Sequence, residues 1–114
     1  MALQSGRGAT IDLPQAQAAY LKACAAKDGG GCGRAGAMYA SGQGGAKDFA
    51  QGVAYFTRGC DLRDGTSCNA LGGLYATTAP TDPAKAALLF GKACELGHAV
   101  GCTNRDRLAA GGAR

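Results

Sequence analysis

Three cysteine pairs recur along this chain at one internal spacing, and that recurrence limits its fold more than any other feature. Cys24/Cys32, Cys60/Cys68 and Cys94/Cys102 each enclose seven residues, and their first members lie 36 and then 34 residues apart. Aligned on the first cysteine, other positions fall into register. Asp12, Asp48 and Asp82 stand twelve residues earlier; Ala16, Gly52 and Ala86 stand eight earlier. Tyr20, Phe56 and Phe90 stand four earlier, then Lys22, Arg58 and Lys92, then Ala23, Gly59 and Ala93. After the second cysteine the match continues in two units, with Gly36/Gly72, Met38/Leu74 and Tyr39/Tyr75. Self-similarity at about 35 residues is the signature of a helical-repeat array.

Each unit reads as two helices. The leading Asp can cap, because its carboxylate accepts free amide hydrogens of the first turn. Gln15 and Gln51 follow at capping-box spacing, a pattern that Lys85 breaks, and Pro83 suits the first helical position. Small and aromatic residues then alternate at three and four, one apolar stripe per helix. First helices are expected over about 13–27, 49–63 and 83–96, with turns at Asp28 to Gly31 and Asp64 to Thr66. Second helices are expected to begin near Cys32, Cys68 and Cys102. Such short turns force antiparallel hairpins, and three stacked hairpins make an all-α solenoid. The repeats run over about 12–47, 48–81 and 82–110, one domain over 12–110. Residues 1–11 form a flexible N-terminal segment and 111–114 a frayed tail. Arg105, Asp106 and Arg107 replace the small or apolar residues of earlier units, as suits a water-facing end.

Large side chains are scarce: Ala fills 25 of 114 positions and seven residues are aromatic. The core must come from closely approaching backbones. Gly36, Gly52, Gly59 and Gly72 each cost about 1 kcal/mol of helix propensity against Ala, offset by dispersion between helices in close contact. A cysteine pair closed on itself would add about 2.5 kcal/mol by loop entropy. Persistent bridges need an oxidising compartment: periplasm, cell exterior or, in a eukaryote, the mitochondrial intermembrane space. No run of eighteen apolar residues exists to span a membrane. Residues 1–11 hold no apolar stretch that could act as a signal peptide, and MALQSGRGAT reads as a loose end left after a removed export signal.

The stretches AAYLKAC with Cys32, AYFTRGC with Cys68, GGLY, and LLFGKACELG with Cys102 resemble Sel1-like repeats, specifically the cysteine-rich branch typified by the Helicobacter cysteine-rich proteins. The resemblance covers about residues 12–108. It implies a right-handed αα-superhelix with one disulfide in each repeat, pairing Cys24–Cys32, Cys60–Cys68 and Cys94–Cys102. It also implies an exported adaptor or interaction module, with penicillin binding or weak β-lactamase activity as the alternative; related mitochondrial proteins assist respiratory-complex assembly.

No constellation of residues assembles an active site. Ser5, Ser41 and Ser67 all lack the S-x-x-K lysine of β-lactamases, and neither G-x-S-x-G nor H-E-x-x-H occurs. Ser67 suits a cap at a helix start. The string Gly31-Cys32-Gly33-Arg34-Ala35-Gly36 matches G-x-G-x-x-G but lacks a preceding strand, so close packing is the better reading. His98 holds the turn slot of Asp28 and Asp64. Seven-residue gaps are too wide for structural zinc, and no cofactor or metal is expected. Tyr20, Phe56, Phe90, Tyr39 and Tyr75 read as core. The net charge of +4 is mild, and basic residues without exposed aromatics do not suit single-stranded nucleic acid. What remains is a polar row. Lys22, Arg58 and Lys92 share one flank of the first helices with Gln15, Gln51 and Lys85, a ladder that could read acidic side chains on a partner protein.

Overall fold

A computed structural model describes residues 12–78 and 80–112. The chain forms α1 (Leu13–Ala25), α2 (Gly29–Ser41), α3 (Phe49–Asp61), α4 (Gly65–Thr77), α5 (Pro83–Glu95) and α6 (Ala99–Gly112). These are three antiparallel hairpins stacked into an all-α solenoid, as the repeat predicts. The stack measures 49 × 26 × 26 Å with a radius of gyration of 15.2 Å, above the roughly 13 Å of a compact domain this size. α2 also meets α4, and α4 meets α6, so second helices approach one another along one side. The N-terminal segment falls outside the described residues, while α6 runs through Gly112, into the expected tail.

Both ends of the first helices are set by backbone chemistry. Asp12, Asp48 and Asp82 each accept the N–H three residues on, all at 3.1 Å. The bond forms whether that residue is Gln15, Gln51 or Lys85, so the aspartate suffices without a capping box.

The helix ends correct the sequence-based ranges. α1, α3 and α5 stop one or two residues early, because Lys27, Arg63 and Gly97 take positive φ of 68°, 69° and 90°. The following N–H groups of Asp28, Asp64 and His98 then reach back to the carbonyls of Ala23, Gly59 and Ala93 at 2.9–3.0 Å. Lys27, Arg63 and Gly97 themselves donate to Cys24, Cys60 and Cys94. This is a Schellman closure in every hairpin. Only the third unit has glycine at the left-handed position, so the other two stops carry no sequence signal. His98 does occupy the turn slot expected for it.

The second helices also begin three residues before the expected cysteines. Asp28 and Asp64, read as turn residues, are their N-caps. Ser67 is not the cap: it lies inside α4, fully buried, and its N–H and hydroxyl both donate to Asp64. Each cysteine of a second helix therefore sits in its first turn, facing the last turn of the preceding helix. All three pairs bridge, Cys24–Cys32, Cys60–Cys68 and Cys94–Cys102, with Cα–Cα distances of 4.4, 4.6 and 4.6 Å.

Backbone contact does replace bulk in the core. A Cβ on Gly36 would stand 3.0 Å from the Gly52 carbonyl oxygen and the Phe56 ring, and one on Gly72 would stand 2.8 Å from the Phe90 ring. Phe56 and Phe90 are buried as expected, but Tyr20, Tyr39 and Tyr75 are only half-buried. Within each hairpin, the residues just before the two cysteines trade volume. Gly31 faces Ala23 and Gly101 faces Ala93, whereas Ser67 faces Gly59.

The bridges are unequally protected. Cys24, Cys32, Cys60 and Cys68 are at most 2% exposed, while Cys94 and Cys102 are half-buried. Exchange requires a thiolate to reach sulfur, so limiting dithiothreitol is expected to open Cys94–Cys102 first. Alkylation and peptide mapping should find label at Cys94 and Cys102 before any other cysteine; simultaneous labelling would contradict that order.

Candidate functional site: the outer face of the first helices and an adjoining groove

On α3, Gln51, Tyr55 and Arg58 are spaced four and three apart, so they share one helix face. The corresponding residues are Gln15, Ala19 and Lys22 on α1, and Lys85, Leu89 and Lys92 on α5. All six residues of the polar row are exposed. The sequence reading missed that second-helix tyrosines lean against this row. Tyr39 of α2 stacks on Tyr55, with ring centres 5.6 Å apart and planes 11° apart. The Arg58 guanidinium lies 5.5 Å from the Tyr55 ring centre, and the Lys85 ammonium lies 4.7 Å from that of Tyr75. Arg34 similarly covers Tyr20 at 5.8 Å. Exposed cation–π pairs contribute only about 0.5–1 kcal/mol, a modest bias toward these side-chain positions.

The backbone puts those tyrosines there. Tyr39 and Tyr75 offer their carbonyls to the N–H groups of Asp48 and Asp82, each at 2.8 Å. The residue that starts each following first helix is thus pinned to the tyrosine of the preceding second helix. In sequence, the signal was the recurrence of Tyr39 and Tyr75, which alone does not distinguish a core ring from a rim ring.

A second feature was also missed. At the open end of the middle hairpin, away from its disulfide, a shallow groove of about 490 Å³ is lined by Phe49, Ala50, Val53, Leu74, Tyr75, Thr78 and Pro80. Phe49 is 40% exposed there. The available sequence signal was an aromatic residue directly after the Asp48 cap, where the other units carry Leu13 and Pro83.

Among the described residues, no cluster of three or more His, Cys, Asp or Glu could hold a metal ion. All six cysteines are bridged. The Ser41 hydroxyl donates to the Ala37 carbonyl of its own helix at 2.8 Å, and Ser67 is buried against Asp64; Ser5 lies outside the described residues. The G-x-G-x-x-G string is helix interior, with Gly33 packed on the Ser67 side chain and Gly36 on Phe56.

Two solved structures share this architecture. A Sel1 repeat protein from Oxalobacter formigenes superposes with a TM-score of 0.78 at 25% identity, over 90% of this chain. The chain has the Sel1-repeat fold. A protective antigen of uropathogenic Escherichia coli strains, described as displaying an SLR fold, also gives 0.78, at 21% identity over 85% of this chain. This chain spans 42% and 21% of those two proteins. No protein-family model matches the sequence, and no curated protein does. Three intra-hairpin disulfides fit the cysteine-rich branch of Sel1-like repeats. No helix among the described residues is long and apolar enough to cross a membrane.

Proposed function

We propose that this chain is an exported protein-interaction module that works by surface complementarity, with the outer row of the first helices as its partner-reading face. The observation carrying this reading is the set of exposed cations beside half-buried tyrosine rings along the solenoid. Lys22, Arg58 and Lys92, with Gln15, Gln51 and Lys85, are exposed, and Arg58 and Lys85 are held against aromatic rings. Tyr and Arg are the residue types enriched at protein interfaces. A cationic row is complementary to an acidic partner surface and speeds encounter with it. Three disulfides support a periplasmic or extracellular address. An envelope assembly factor and a toxin-neutralising protein are the two roles this surface suits.

Reversing Lys22, Arg58 and Lys92 to Glu together is expected to abolish partner capture in a pull-down from native envelope or culture fluid. The melting temperature should stay within a few degrees, because exposed charges contribute about 0–1 kcal/mol each. Unaltered capture would reject the row as the reading face.

A further inference from the structure

We infer that the groove at the open end of the middle hairpin is a docking site for a short acidic segment of a partner protein, one that carries a large apolar side chain between carboxylates. The inference rests on the chain's being a protein-interaction module, and of the polar row it uses Lys85 alone.

The floor is apolar and concave, built by Phe49, Ala50 and Val53 of α3 facing Leu74 and Tyr75 of α4. Its 490 Å³ falls within the roughly 300–1,000 Å³ of ligand-binding clefts. At the open end of the first hairpin, the cleft lined by Leu13, Met38 and Gln43 among others has only about 250 Å³. Of these two open ends, the middle hairpin's is the roomier; a cleft of about 380 Å³ beside Phe90 and Leu108 also falls in that range but has no lysine set against its aromatic ring.

Its rim is cationic. The Lys47 ammonium sits 5.5 Å from the centre of the Phe49 ring, and the Lys85 ammonium 4.7 Å from that of Tyr75. Both rings line the groove. Neither lysine has a carboxylate within ion-pair distance; among the described residues the sole ion pair is Arg105–Asp106, on α6. Asp48 and Asp82 stand nearby as exposed caps of α3 and α5, each accepting a backbone N–H at a helix N-terminus whose partial positive charge offsets part of the carboxylate's. Two exposed ammonium groups without an ion-pair partner, beside an apolar floor, are complementary to a ligand that carries negative charge. An apolar side chain would fill the cleft while flanking Asp or Glu side chains meet the lysines. Apolar burial supplies affinity, and the charges supply orientation and discrimination.

The test uses a fluorescein-labelled peptide, Glu-Asp-Phe-Leu-Asp-Glu, with the whole oxidised chain and fluorescence anisotropy as the readout. Saturable binding is expected. It should weaken at least about tenfold, equivalent to about 1.4 kcal/mol, when Lys and Arg replace the peptide's acids or Ser replaces its apolar pair. Lys47→Glu with Lys85→Glu should weaken it as much, and so should Ala50→Trp, which fills the cleft from an exposed helix position without touching charge. The Lys22/Arg58/Lys92 reversal should leave peptide binding unchanged. Near-ultraviolet circular dichroism checks that every variant keeps the parent fold. Loss of binding only in the Lys22/Arg58/Lys92 variant would overturn the groove and leave the interaction-module reading standing. No saturation by about 1 mM peptide would overturn the groove too, as would capture by phosphatidylglycerol vesicles in place of the peptide.

Discussion

Full reduction of Cys24–Cys32, Cys60–Cys68 and Cys94–Cys102 is expected to unfold this chain at room temperature. Each bridge closes a short loop, for which chain entropy gives about 2.5 kcal/mol, so three together give about 7–8 kcal/mol. A natural domain has only about 5–15 kcal/mol in total, and a core of Ala, Gly and bridged Cys whose large buried side chains are Met38, Phe56, Leu71 and Phe90 belongs at the lower end. Reduction breaks none of the capping and Schellman bonds directly, but short isolated helices are marginal in water and cannot keep them. Far-ultraviolet circular dichroism of the fully reduced, alkylated protein should therefore show most of the helical signal lost. A reduced protein that melts within a few degrees of the oxidised one would show that the stack holds itself together without cross-links.

The second large effect comes from the volume trade inside the middle hairpin. A Cβ at Gly59 would stand 2.8 Å from the Ser67 Cβ and 3.0 Å from the Gly29 carbonyl oxygen, closer than packed atoms sit. Gly59→Ala would gain about 1 kcal/mol of helix propensity, but overpacking costs about 1–3 kcal/mol, and contact with backbone leaves little room to relax. A net loss is expected. Ser67→Gly alone also destabilises, since it removes the buried hydroxyl's bond to Asp64 and opens a gap. The double variant reproduces the Ala/Gly pairing found at Ala23/Gly31 and Ala93/Gly101, so it should recover most of the Gly59→Ala loss. A coupling of about 0.5–3 kcal/mol is expected from urea melts of the four proteins. Additive losses would mean that the two positions do not share one space.

The repeat carried most of the architecture because periodic pattern and covalent spacing are local. Asp caps, a three-four apolar stripe and paired cysteines at constant separation each act within one hairpin, so a linear reading finds them. Helix ends were less legible. Lys27 and Arg63 adopt the left-handed conformation that costs a non-glycine residue roughly 1–2 kcal/mol, and no residue type there announces it. The Schellman bonds and the bridge beside them supply the compensation, and both exist only once the hairpin closes.

Sequence alone thus determined the hairpin count, the all-α stack and the small-residue interfaces, because those follow from chemistry repeated within about 35 residues. Tertiary structure alone decided which aromatic rings stayed half-exposed and where a cleft opened. It also decided which cations stood beside aromatic rings without a carboxylate. Those outcomes depend on the approach of one helix to the next repeat, as in Tyr39 on Tyr55 and Lys85 over Tyr75, and a periodic position in the chain does not say whether its side chain ends in the core or at the rim.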